Sequence, residues 1–159
     1  MLFRSYEIAT GKRLEDRLEW VKFSGAAWLN DGFYYSRYPQ PEAGQELSGN
    51  NLNHSVYYHQ MGTPQSQDRL VHRDDARPHM YNNVSLSEDN RYLFLTSAPG
   101  TDTYEVWYHD FKKTDEEFVP LFTDMNAHTS PVDSDGDGFV VALTDVGAPR
   151  YRLVRVDLR

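Results

Sequence analysis

The residues best spaced for chemistry are Asp133-Ser-Asp135-Gly-Asp137-Gly138, where alternate carboxylates followed by glycine match the opening of an EF-hand calcium loop. Such a loop closes on its ion with a bidentate Glu at the twelfth position, which here is Thr144. Its flanks read as strands rather than helices, so a tight turn rich in Asp and Gly is the reading preferred for Asp133, Asp135 and Asp137. Among the six histidines no pair has zinc-ligand spacing on one element, and there is no cysteine to supply a thiolate. His59 and His109 instead stand at matching places in an internal repeat. No serine lies in a Gly-x-Ser-x-Gly elbow: Ser24 follows Lys22-Phe23 and Ser134 follows Val132-Asp133. The many carboxylates fall mostly in expected turns, where water surrounds them and nothing tunes them for acid–base work. No catalytic residue, metal ligand or cofactor is therefore assigned.

The elements that would have to position any site are short strands. Apolar and polar residues nearly alternate over brief stretches separated by Gly, Asp, Asn and Pro, and sustained helical spacing is almost missing. Aromatic residues make up 14% of the chain and gather in Gly32-Phe-Tyr-Tyr-Ser, Val56-Tyr-Tyr-His and Val106-Trp-Tyr-His, which suits strands. Strands are expected over 2–8, 25–29, 33–38, 55–60, 69–73, 83–87, 92–97, 105–111, 118–122, 139–144 and 151–157. Turn chemistry sits between them at Thr10-Gly11, Asn30-Asp31-Gly32, Gly62-Thr63-Pro64, Ser87-Glu88-Asp89-Asn90 and Asp135-Gly136-Asp137-Gly138.

Repetition selects among all-β architectures. Asp31-Gly32, Asp89-Asn90 and Asp137-Gly138 each lead into a more apolar strand, and Tyr57-Tyr58-His59, Trp107-Tyr108-His109-Asp110 and Leu153 to Leu158 recur further along. The spacing, 57 to 107 to 154, is that of a four-stranded propeller blade. The expected fold is a β-propeller segment of about three four-stranded antiparallel blades, open at both ends. Residues 1–18 read as the end of a preceding blade, 23–74 and 80–123 as whole blades, and 128–159 as an incomplete one. The long strandless stretch from Pro39 to Asn53 reads as an insertion in the first whole blade.

A chain of 159 residues, 39% hydrophobic, can bury a core of its own. Its formal charge of −8 repels phosphate backbones and anionic lipid, which argues against nucleic acid and membrane surfaces as partners. Unpaired strand edges invite strand addition, so self-association through exposed edges is a partner hypothesis of its own.

Specific motifs then point to a family. Arg17-Leu-Glu-Trp-Val-Lys-Phe-Ser-Gly-Ala-Ala-Trp28, with Asp31-Gly32-Phe-Tyr-Tyr-Ser36 and Tyr38-Pro39, closely resembles prolyl oligopeptidase, a family of serine peptidases. Asn53-His-Ser-Val-Tyr-Tyr-His59, Gly62-Thr-Pro-Gln65 and Asp68 resemble the family's tyrosine-rich strand and the turn after it. Leu86-Ser-Glu-Asp89, Arg91-Tyr92, Ala148-Pro149 and Tyr151-Arg152-Leu153 follow in the family's order, so the resemblance spans nearly the whole chain.

The resemblance implies an enzyme in which an α/β-hydrolase domain bearing a Ser-Asp-His triad is joined to a seven-bladed propeller. That propeller admits short proline-containing peptides to a cavity between the two, and cleavage follows proline. The present chain resembles only the N-terminal part of the propeller. It has no counterpart of the triad, so alone it is expected to be inactive. The partners implied are the catalytic domain and short peptides, and the compartments implied are cytoplasm or periplasm. Phe23 matches a propeller phenylalanine that in relatives faces the substrate cavity; a place in the blade core is its other reading. Tyr81 and Thr101 fall where relatives place further cavity-lining side chains of other types. The runner-up function is a self-associating propeller scaffold without a peptidase role.

Overall fold

The computed structural model describes residues 2–44, 51–113 and 117–159. The chain divides into two compact units, Met1–Asn83 and Val84–Arg159. Part of the Pro39 to Asn53 insertion, residues 45–50, lies outside the described residues.

The first unit starts with a hairpin of β1 (Phe3–Tyr6) and β2 (Arg13–Leu18). A four-stranded sheet follows, β3 (Ala27–Leu29), β4 (Gly32–Arg37), β5 (Ser55–Gln60) and β6 (Arg69–His72), paired in chain order. Aromatics dominate β4 because both its faces are covered. Phe33 and Tyr35 pack with Leu18 and Val21 on one face, while Tyr34 meets Tyr58 on the other at a ring separation of 4.9 Å. Each large side chain so buried stabilises the unit by about 1.5–3 kcal/mol. The turn into β4 demands glycine. A Cβ on Gly32 would lie 2.2 Å from the His59 carbonyl oxygen and 2.6 Å from the Tyr58 hydroxyl.

A second four-stranded sheet contains β7 (Tyr81–Leu86), β8 (Tyr92–Ala98), β9 (Glu105–Asp110) and β10 (Val119–Phe122), again in chain order. The last sheet holds β11 (Thr129–Ser134), β12 (Phe139–Thr144) and β13 (Arg152–Asp157). Tyr92, Phe94, Val106, Tyr108 and Val140 form the core of the second unit. Among the described residues there is no α-helix, and the all-β expectation stands.

Two strands lack the alternating apolar signal that finds the others. Arg13–Leu18 is mostly charged, and one of its inward positions is an acid, Asp16. Thr129–Ser134 contains Pro131 and a register slip between Pro131 and Asp133, tolerated because β11 is a sheet edge. Pairing also corrects the repeat. Phe33 and Tyr92 take the same place in their cores, and their partners are His59 and Asp110. His109 therefore does not correspond to His59; it points to the other face and meets Phe111 edge-on.

His59 is fully buried with a carboxylate at each ring nitrogen: Nε2 lies 3.1 Å from Asp16 Oδ1 and Nδ1 lies 2.7 Å from Asp68 Oδ1. An ionised carboxylate only accepts, so each ring nitrogen is placed to donate to the carboxylate it faces. Further donors reach both carboxylates. Gly62 N–H donates to Asp16 Oδ1 at 2.6 Å, the Tyr35 hydroxyl donates to Asp68 Oδ2 at 2.6 Å, and Gln65 Nε2 donates to the Tyr35 oxygen at 3.0 Å. Burial alone would raise the Asp16 pKa, but the Gly62 N–H and His59 hold it below the usual value. Burial, then the Asp68 bond, push the Tyr35 hydroxyl far up.

His59→Gln removes the group that both buried carboxylates face and leaves Asp16 and Asp68 uncompensated. The expected cost is about 3–5 kcal/mol, read as a lowered urea midpoint with an unchanged slope.

Candidate functional site

Between β2 and β3 the chain runs from residue 19 to 26 without strand pairing, and it is tied down at several points. Val21 is fully buried in the first core. The Trp20 carbonyl accepts Tyr38 N–H at 3.2 Å, and the Lys22 carbonyl lies 2.8 Å from His54 Nε2. Ser24 Oγ accepts Ser36 N–H at 2.7 Å. With the residues on either side fixed, Phe23 takes a left-handed φ of 52° and its ring is turned outward, 61% exposed. The ring lies outside both core clusters of the described residues. A left-handed backbone costs a non-glycine residue about 1–2 kcal/mol, and it persists only where the surroundings enforce it.

Tyr81, half-buried at the start of β7, supports the Phe23 ring edge-on, with centroids 5.5 Å apart and planes at 82°. Behind this pair stands His54, whose ring lies 6.1 Å from Tyr81 and 4.6 Å from Tyr38. Burial, then the charge of Tyr81, push the Tyr38 hydroxyl up to about 12. Lys22 reaches over the surface to Asn51 Oδ1 at 3.0 Å. An exposed aromatic ring braced by a second, beside a cation and an amide, presents an apolar contact with polar neighbours. That combination suits a peptide side chain flanked by amide groups.

The expected site residues are thus partly brought together. Phe23 and Tyr81 touch. Thr101 lies in the other unit, exposed in the loop between β8 and β9, with its hydroxyl 3.3 Å from Asp102 Oδ1. His54 and Asn82 went unnoticed in the sequence, because the contacts that define them join residues 28 and 32 positions apart.

The acidic turn is occupied by its own chain. Asp133 Oδ1 accepts the N–H groups of Glu88 at 2.9 Å and Ser134 at 2.7 Å. Asp135 pairs with Arg155 at 2.6 Å, and Gly136 and Gly138 take left-handed φ values of 86°. Among the described residues no three His, Cys, Asp or Glu side chains gather as metal ligands. A separate groove in the first unit, about 590 Å³, is lined by Tyr6, Leu14, Trp28, Phe33 and Met61 among others.

Comparison with known proteins gives a consistent result. The family model for the prolyl oligopeptidase N-terminal beta-propeller domain matches residues 3–159. The prolyl endopeptidase of Elizabethkingia meningoseptica is 41% identical over 152 residues, which are 94% of this chain and 21% of that protein. Prolyl oligopeptidase A of Amanita bisporigera is 32% identical over 157 residues, 92% of this chain and 20% of that one. Among solved structures, a chain from a structural and mechanistic analysis of two prolyl endopeptidases superposes with a TM-score of 0.82 at 36% identity, covering 99% of this chain and 22% of that chain. Prolyl oligopeptidase B from Galerina marginata, bound to a 35mer hydrolysis and macrocyclization substrate, gives 0.83 at 28% identity, covering 96% and 22%. The chain therefore spans about a fifth of the length of the relatives it matches.

The left-handed φ at Phe23 separates two substitutions that both remove the ring. Phe23→Gly relieves the backbone and Phe23→Ala does not, so the glycine variant is expected to be more stable by about 1 kcal/mol in denaturant unfolding.

Proposed function

This chain belongs to the prolyl oligopeptidase family as part of its N-terminal β-propeller domain, and from that premise we propose a non-catalytic role in a proline-specific serine endopeptidase. In this reading the chain helps gate the entry of short peptides and lines the cavity in which they are cleaved. The α/β-hydrolase domain that supplies the catalytic triad is its partner, and short proline-containing peptides are its ligands. The observation that carries the proposal is Phe23, an exposed aromatic held in a costly backbone conformation by Lys22 and Ser24 contacts and braced by Tyr81. Structure that maintains strain at an exposed side chain is characteristic of functional sites. Tyr81 is proposed to contribute from the same patch, and Thr101 from its own loop. The sheets β3 to β6 and β7 to β10 are proposed as the blades of residues 23–74 and 80–123, with β11 to β13 as an incomplete blade over 128–159 and β1 and β2 as the end of a preceding blade.

A second reading, self-association as a scaffold, draws on β13. It is the edge of a three-stranded sheet, and Leu143 and Leu153 pair directly across β12 and β13 while 37% and 66% exposed. Such an edge can accept a strand from another copy.

Two measurements test these readings. The isolated chain is expected to show no turnover of a Gly-Pro reporter peptide, whereas Phe23→Ala in the full-length enzyme lowers kcat/KM by about tenfold, the loss of about 1.4 kcal/mol of apolar contact. Turnover by the repurified isolated chain, or an unchanged kcat/KM in the variant, contradicts the first reading. Sedimentation of the chain at tens of micromolar decides the second, which requires a concentration-dependent dimer or larger species.

A further inference from the structure

We propose that His54 is the positioning residue of the Phe23–Tyr81 patch: as a neutral imidazole with its hydrogen on Nε2 it holds the two rings together, and protonation of Nδ1 releases them. This inference rests on the reading of that patch as substrate-facing. His54 is 1% exposed, and both its ring nitrogens meet backbone groups whose roles cannot change. The Asn82 backbone nitrogen lies 3.0 Å from Nδ1, and a backbone N–H only donates, so Nδ1 is bare. The Lys22 carbonyl oxygen lies 2.8 Å from Nε2, and a carbonyl only accepts, so Nε2 carries the hydrogen.

These two bonds tie together the elements that carry the patch. Through Lys22 the ring fixes the residue immediately before Phe23, and through Asn82 it fixes the residue immediately after Tyr81. Asn82 Nδ2 returns a hydrogen bond to the His54 carbonyl at 2.7 Å, and the Asn82 carbonyl accepts from Ser36 Oγ at 2.7 Å. The imidazole is thus the bridge between the segment of residues 19–26 and β7.

A proton added at Nδ1 would set two N–H donors against each other across 3.0 Å in a buried place. The titratable groups facing the ring offer no compensation. They are the phenol of Tyr38 beyond the end of β4, the phenol of Tyr81 on β7, and Lys22, whose ammonium is turned to Asn51. Burial pushes the His54 pKa below its usual 6.5, with the Lys22 carbonyl opposing that shift. Because the folded pKa lies below the unfolded one, the stability of this arrangement is held above about pH 6.5 and erodes as pH falls below that value.

Nitrogen-15 NMR of the full 159-residue chain tests the proposal. At neutral pH the His54 ring is expected to show a bare Nδ1 and a protonated Nε2, and the Phe23–Tyr81 ring NOE should be lost in step with His54 protonation as the solution is acidified. His54→Gln keeps a donor within reach of the Lys22 carbonyl but does not titrate, so its NOE should persist across the same range. The opposite tautomer at neutral pH overturns the proposal, even if the variant fails to fold or the chain unfolds in acid. So does an NOE that survives protonation, or one lost with the same pH profile in His54→Gln. A short acetyl-Gly-Pro peptide that leaves the Phe23 resonances unmoved would count against the substrate-facing reading alone, and the role of His54 would stand.

Discussion

A buried histidine with a carboxylate at each ring nitrogen is the constraint from which the first unit follows. Asp16 comes from β2, His59 from β5 and Asp68 from the approach to β6, so one ring joins the hairpin to the sheet beside it. Two acids and an imidazole buried together cost desolvation energy that is recovered only through good geometry and further hydrogen bonds to the acids. That requirement accounts for the surrounding structure. The turn at Gly62 aims an N–H at Asp16, Tyr35 is a tyrosine so that its hydroxyl can reach Asp68, and Gln65 both supports Tyr35 and exchanges two bonds with the backbone of Glu19.

The second unit solves the same problem with different chemistry. At the place of His59 stands Asp110, which takes a two-pronged contact from Arg91, with Nε and Nη2 at 3.2 and 2.9 Å. Burial opposes ionisation of Asp110, but Arg91 and the Lys112 N–H hold its pKa below the ordinary range. An ion pair at the same end of the inner strands closes each core, and its sign and geometry are free to differ. Repetition in this fold is therefore of place more than of residue type, which is why aligning His109 with His59 by sequence put the histidine on the wrong face.

Much of the fold was legible because buried aromatics mark strands strongly. Ser55–Gln60 and Phe139–Thr144 fall where expected, and most other strands differ from expectation by a residue or two. What escaped was polar: Asp16 turned inward on a charged strand, and an edge strand interrupted by Pro131. Of the site, Phe23 and Tyr81 were found through resemblance alone. The reason for their arrangement lies in backbone dihedrals and in His54 bonds to main-chain atoms, neither of which leaves a periodic trace in the sequence.

The left-handed backbone at Phe23 also limits how this surface can diversify. Glycine, asparagine and aspartate enter such a conformation most readily, unbranched side chains do so at some cost, and β-branched ones are nearly barred. A lineage that altered its apolar contact here would have leucine, methionine or another aromatic at hand. Valine or isoleucine would require the whole segment of residues 19–26 to be rebuilt, so the shape of the main chain acts as a filter on which chemistries the position can ever display.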